Sequence, residues 1–423
     1  MSRPPDSQRD SLLSRRQFLG VSGLGLGAVA FATNTLPAPV VEARTKHRDI
    51  PSVPPQIEIP AAHIEAAKSH AKQLADDAKR AWSRADTSSL DESDSRILKE
   101  GPEKAQNQIN EIPPEPGNPR TLEKIQYSAG VAAETLGAAQ YLNDEYSEKD
   151  YETEASKLRS NVESVTNRIE IECDDPHEFL VHVGRVEYHL QQAAGFSRRV
   201  SPPEDAMEAG EMLWNLESAR RDFEDGKRLY WQYRNGLENP KSFERELTRN
   251  RKWLKKAAET LRGQDDEDSG GDLPDNAYRQ IRGRIYTHGW FYGRNRLNEA
   301  ERCKKEGLDV LAAVATAEAR QHFLAWHHAE NRVEVSEDAE RIDAKLVFRA
   351  KRAAVNELQN AIDGSEERLF TRKLLETAEN RTDSGDSALD FSEYPRAEAY
   401  GRYLLGRAHA EHANGTATKL TRW

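Results

Sequence analysis

Cysteine is nearly absent: Cys173 and Cys303 are the two thiols of a 423-residue chain. Two cannot build a disulfide framework or a four-thiolate metal cluster. No Cys-x-x-Cys, His-Glu-x-x-His, Gly-x-Ser-x-Gly or phosphate-loop pattern occurs. The local signatures of zinc peptidases, serine hydrolases and P-loop nucleotide enzymes are therefore missing. Hydrophobic residues make up 37% of the chain, and no alternating apolar and polar run is long enough to start a sheet. The longest apolar stretch is about a dozen residues, short of the roughly 20 that a membrane-spanning helix needs. Positive charge is also in deficit, with 61 Lys and Arg against 72 Asp and Glu, a net charge of −11. Phosphate backbones are held by an excess of basic groups, so nucleic acid is not an expected partner.

What is present is helical periodicity. Ile64, Ala67, Ala71, Leu74, Ala78 and Trp82 recur at spacings of three and four, as do Tyr151, Ala155, Leu158, Val162, Val165 and Ile169. Start signals precede such stripes. Asn118-Pro119, Asp175-Pro176 and Asn239-Pro240 each put a capping or turn-forming side chain before a proline suited to the first helical position. The class expected is all-α, an antiparallel bundle or array of about ten to twelve helices. The helices over 118–143 and 147–169 are expected to pair as a hairpin. Pro102 is expected to open a short helix, and residues 382–394 read as loose.

Composition suggests divisions. Residues 33–60 hold six prolines and little periodicity, which predicts an extended linker. Residues 263–273 are acidic and glycine-rich, with nothing to bury, and predict a connection between helical regions at 61–262 and 274–423. Between Pro274 and Gly307, Tyr278, Tyr286, Trp290, Phe291 and Tyr292 interleave with Arg279, Arg282, Arg284, Arg294 and Arg296. Such a surface suits an acidic glycan, or else its arginines pair with neighbouring acidic helices while its rings fill the core. His288, in the stripe of Ile281, Ile285 and Tyr292, is expected to be buried and hydrogen-bonded.

At the N-terminus, Ser14-Arg15-Arg16-Gln17-Phe18-Leu19 precedes a glycine-interrupted apolar run that ends in Ala30-Phe31-Ala32. This resembles the twin-arginine secretory signal, with Gly20 where the usual lysine stands. The resemblance implies a cleaved signal over 1–32 and secretion of a chain already folded. It also implies a mature protein with no transmembrane segment, and no cysteine follows the run to take a lipid anchor. Removing 1–32 takes four arginines and two aspartates, leaving 57 basic and 70 acidic residues, a charge of −13. The excess of 41 Arg over 20 Lys, with this acidity, resembles proteins of salt-loving archaea in composition.

Few constellations suggest chemistry. Glu178 with His182, and Glu318 with His322, each lie four apart on expected helices and would give two carboxylates and two imidazoles to a metal if those helices faced each other. Cys173 and Cys303 would pair in an oxidising compartment. Asn380-Arg381-Thr382 and Asn414-Gly415-Thr416 match the N-glycosylation acceptor pattern. The expected function is an exported helical scaffold or binding protein of the cell surface, more in keeping with recognition than catalysis, whose partner is another protein or an acidic glycan. The alternative is a helical-bundle metal or cofactor protein, possibly an enzyme.

Overall fold

The computed structural model describes residues 38–113, 115–263 and 276–423. The stretch that resembles a twin-arginine signal, with Arg15 and Arg16, and the acidic residues 264–273 lie outside the described residues. The protein is all-α. A short helix α1 (Ala38–Lys46) leads to α2 (Ala61–Trp82), α3 (Glu92–Asn110), α4 (Pro119–Leu142), α5 (Glu148–Thr166), α6 (Pro176–Ser197) and α7 (Ala206–Gly236). Then come α8 (Glu244–Arg262), α9 (Ala277–Ile285), a π-helical turn (Tyr286–Phe291) and α10 (Tyr292–Lys305). The chain closes with α11 (Asp309–Glu330), α12 (Ala344–Asp363), α13 (Leu369–Phe391) and α14 (Pro395–Thr421). Two dipeptide strands, Glu172–Cys173 and Lys241–Ser242, pair antiparallel. No helix among the described residues is long and apolar enough to cross a membrane.

Local signals set the helix starts. The side chains of Asn118, Asp175, Asp205 and Asn276 each accept a backbone amide of the first turn. Tertiary contacts set the partners. α4 packs chiefly on α7 and α2, while α5 lies mainly against α6 and α7 and meets α4 through Tyr151, whose hydroxyl donates to Gln140 at 2.5 Å. The expected hairpin fails because α4 gives its small-residue face to α7. A Cβ on Gly137 would stand 2.5 Å from the Ala209 carbonyl oxygen, and one on Gly210 2.7 Å from that of Glu134, so the backbones touch at the crossing.

Pro102 does not open a helix; it sits inside α3. Proline there removes the amide that would bond the carbonyl four residues back. That carbonyl, on Leu98, accepts instead from the buried Thr135 hydroxyl at 2.8 Å. Residues 382–394 are not loose either, since α13 continues to Phe391.

The proline-rich segment is a strap rather than a tether. α1 packs on α12, Glu42 pairs with Arg396 at 2.6 Å, and the Thr45 carbonyl accepts from the buried Lys351 ammonium at 2.6 Å. Farther along, Val53 N donates to Glu379, and Ile59 exchanges two backbone hydrogen bonds with Gly117. Val53, Ile57 and Ile59 are buried. Pro51, Pro54, Pro55 and Pro60 have no amide to give to a helix or a ladder, which leaves this stretch extended while the residues between them find partners.

α8 packs on α11 and α14, so the exchange of helical partners falls at the connection around 237–243. The two regions share a core in which Phe179, Val183 and Leu190 of α6 meet Val310, Leu374 and Leu375 of α11 and α13.

Candidate functional site

The paired Glu and His residues do not meet. His182 stacks on Tyr233 at 5.7 Å between ring centroids, with Glu178 3.9 Å away. Glu318 is drawn to the Arg296 guanidinium at 3.2 Å, and His322 packs edge-on to His409 at 4.7 Å. Among the described residues, no group of three or more His, Cys, Asp or Glu is arranged to hold a metal ion. The spacing of four placed each pair on one helical face, but strong local partners took the carboxylate of one pair and the imidazole of the other.

The cysteines do not pair. Cys173 lies in the shared core beside Phe179, while Cys303 packs with Leu308, Leu311 and Ala312, its Sγ receiving Gln191 Nε2 at 3.3 Å. Burial pushes the two thiols up, to about 12 and about 11. Both should resist a thiol reagent in the native protein at pH 8 and react only in denaturant; one fast-reacting thiol in native buffer would contradict this burial.

Asn380 and Asn414 are exposed, but each lies inside a helix, and the threonine hydroxyls of the two sequons are in the interior. Thr382 bonds back to the Ala378 carbonyl and Thr416 accepts from Arg320. The folded chain holds both sequons in helix, so the mass of the protein is expected to show no glycan at either position.

The arginines of the aromatic stretch are largely committed. Arg282 forks onto Glu330, Arg284 pairs with Glu398, and Arg296 with Glu299 and Glu318. Tyr286 stacks on Trp290 at 5.0 Å against an apolar cluster with Phe323, Trp326 and Tyr400, whereas Phe291 and Tyr292 face outward.

Where the two regions meet, α6 and α11 leave a cleft of about 460 Å³, roofed by the strap and flanked by α4, α10 and α13. Its floor is apolar, with Leu180, Val181, Leu311 and Val314, and Val53 and Ile57 face it from the strap. Gly184 keeps the wall between α6 and α11 thin, for a Cβ there would already reach Val314 at 3.4 Å. Around the floor stand charges of both signs. Arg185 pairs with Glu123 at 2.6 Å, Lys373 with Glu376 at 2.6 Å, and Arg296 with Glu299 and Glu318. Arg120 stands exposed at the same wall.

Behind the wall a relay holds Arg185 in place. Its Nε donates to His189 Nε2 at 3.1 Å, and His189 Nδ1 meets Asp222 at 2.7 Å, which also accepts from Gln126. Asp222 belongs to a row of buried acids on α7, with Glu217 against His70 and Asp225 against His63. Two residues on from Arg185, the Glu187 carboxyl receives the Leu311 and Val310 amides at the start of α11. Burial raises it to about 8 against the pull of those donors.

Sequence reasoning does not single out Arg185, Glu217, Asp222 or Asp225, because charged side chains are ordinarily exposed. A signal was there: Asp222 falls in the three-four-three spacing of Ala219, Gly226 and Leu229.

Residues 62–239 match the family model of a domain of unknown function, DUF8262. Residues 244–422 match a second, DUF8264. No curated protein and no solved structure matches the chain. The junction of the two matches coincides with the change of helical partners at 237–243, and the cleft lies between them. The DUF8262 region supplies α4 and α6, the DUF8264 region α10, α11 and α13, and the strap precedes both.

Proposed function

We propose that the protein is an exported binding protein that lodges a small ligand, bearing charges of both signs, in the cleft between the DUF8262 and DUF8264 regions. One observation carries this reading: the cleft has a ligand-sized volume, about 460 Å³, and an apolar floor ringed by Arg185, Arg296 and Lys373 with their carboxylate partners. Pockets of about 300 to 1,000 Å³ at domain junctions are where small ligands bind, and the lining here, more polar than apolar, suits a charged one. Charges already paired and oriented exchange partners with a zwitterion at little reorganisation cost. Export rests on the Ser14 to Ala32 stretch.

Titration of the mature protein with free amino acids and short peptides tests the reading. A member of that set should bind one to one. Gly184→Leu, which fills the cleft from α6, should weaken it at least tenfold while helical content is kept. Undiminished binding by folded Gly184→Leu would place the ligand elsewhere. For export, Arg15→Lys combined with Arg16→Lys should retain the chain inside the cell, and unchanged secretion would remove that part of the reading.

A further inference from the structure

We propose that the π turn and the helices behind it form a second binding site, for a tetrahedral dianion, sulfate or phosphate, free or as an ester on a larger ligand. The site draws on α9, the π turn, α10, α11, α13 and α14, through Arg284, His288, Tyr292, His322, Arg381, Arg402 and His409.

Charge balance is the first argument. Arg284, Arg381 and Arg402 all act on His288, and Arg402 acts on both other arginines. Among the described residues, Glu398 is the one carboxylate within ion-pair distance of any of the three; it pairs with Arg284 and stands 3.8 Å from Arg402. The imidazoles add no charge near neutrality, since burial and these arginines hold His288 and His322 down at about 3. Three guanidinium groups against one carboxylate leave two positive charges unmatched. Withdrawing charge from water without a counter-charge is costly, and a guanidinium cannot shed its proton to escape.

The second argument is unused hydrogen-bonding capacity. Arg381 lies over the Tyr292 ring at 4.6 Å and offers Nη1 to His288 Nδ1 at 3.2 Å, but its Nε has no partner. Arg402 Nε, His288 Nε2, His322 Nδ1 and both ring nitrogens of the fully buried His409 are likewise without partners among the described residues. Buried polar atoms are ordinarily satisfied, so a concentration of orphans beside unmatched positive charge points to a ligand rich in acceptor oxygens.

The third is access. A π turn inserts an extra residue into a helix and recurs at functional sites. Here it is held against α11 at Gly289, where a Cβ would stand 2.6 Å from that of Trp326. At its end Phe291 is 44% exposed and the next residue, Tyr292, 40%, so the cluster opens to solvent beside two rings. A dianion matches the unmatched charge of two, and four oxygens suit guanidinium and imidazole N–H groups that approach from several helices.

The test is calorimetric and thermal titration of the mature protein with sodium sulfate, phosphate, acetate and chloride at one ionic strength. Sulfate or phosphate should bind saturably at one per chain, and a preference between them identifies which anion or ester is the natural ligand. Arg381→Gln and Arg402→Gln should each weaken binding at least tenfold. Arg282→Gln, whose partner Glu330 lies outside the cluster, should not. Without the anion, Arg381→Met should be at least as stable as the parent, since it removes an unmatched charge. Equal effects of acetate or chloride, no saturation, or parental affinity in folded Arg381→Gln would each overturn the site. So would a loss of anion-free stability in Arg381→Met, which would make Arg381 a structural group.

Discussion

Gly137→Val is expected to lower the free energy of unfolding by more than about 3 kcal/mol, at or beyond the upper end of ordinary overpacking. At this position α4 and α7 meet backbone to backbone. The first atom of any side chain would fall 2.5 Å from the Ala209 carbonyl oxygen and 2.8 Å from Leu213 Cβ. Neither is the far end of a flexible side chain, so the helices themselves must part. Parting them loosens one of the most extensive helix contacts in the molecule and also lifts Gly210 from Glu134. Denaturant unfolding measures the loss, with Gly195→Ala as the comparison. A Cβ at Gly195 meets nothing within 4 Å, so that change should be neutral or stabilise by about 0.5–1 kcal/mol. A Gly137→Val protein within about 1 kcal/mol of the parent would show that the crossing yields.

Acid should destabilise the protein from about pH 6.5 downward. Burial is the first cause holding His182 and His412 down at about 4, His288 and His322 at about 3, and His409 well below its ordinary value. In the unfolded chain each takes up a proton near pH 6.5. Between that pH and about 4 the unfolded state therefore binds more protons, so stability rises with pH and is lost as pH falls. The fully buried His322 and His409 alone give a slope of up to about 2.7 kcal/mol per pH unit. Glu187 acts in the opposite sense. Its carboxyl is raised to about 8, so ionisation of the unfolded chain above about 4.5 subtracts up to about 1.4 kcal/mol per unit. The histidines outnumber it, and the net slope stays positive. Unfolding free energies measured at pH 7, 6 and 5 check the sign, and His409→Leu should flatten the slope by about one proton. A flat profile between pH 7 and 5 would mean that these imidazoles are protonated in the folded state.

The sequence by itself determined the class and most helix starts. Both are local matters: a spacing of three and four residues puts apolar groups on one face, and Asn118, Asp175 and the prolines after them fix the first turn within a few bonds. Tertiary structure decided which faces meet. The α4 stripe was legible, but that Gly137 and Gly210 would bring α7 against it depends on residues some 70 positions apart. Pro102 is tolerated inside α3 only because Thr135 arrives to bond the freed Leu98 carbonyl, and the proline-rich strap is ordered only because Glu379, Lys351 and Gly117 receive it. The sites followed the same rule. Spacing grouped Glu178 with His182 and Glu318 with His322, whereas the fold gave Glu318 to Arg296 and His322 to His409. It also gathered Arg381 and Arg402 beside His288 from two other helices. A charged residue's neighbours across helices are set by packing, and packing is a property of the whole chain that no local pattern encodes.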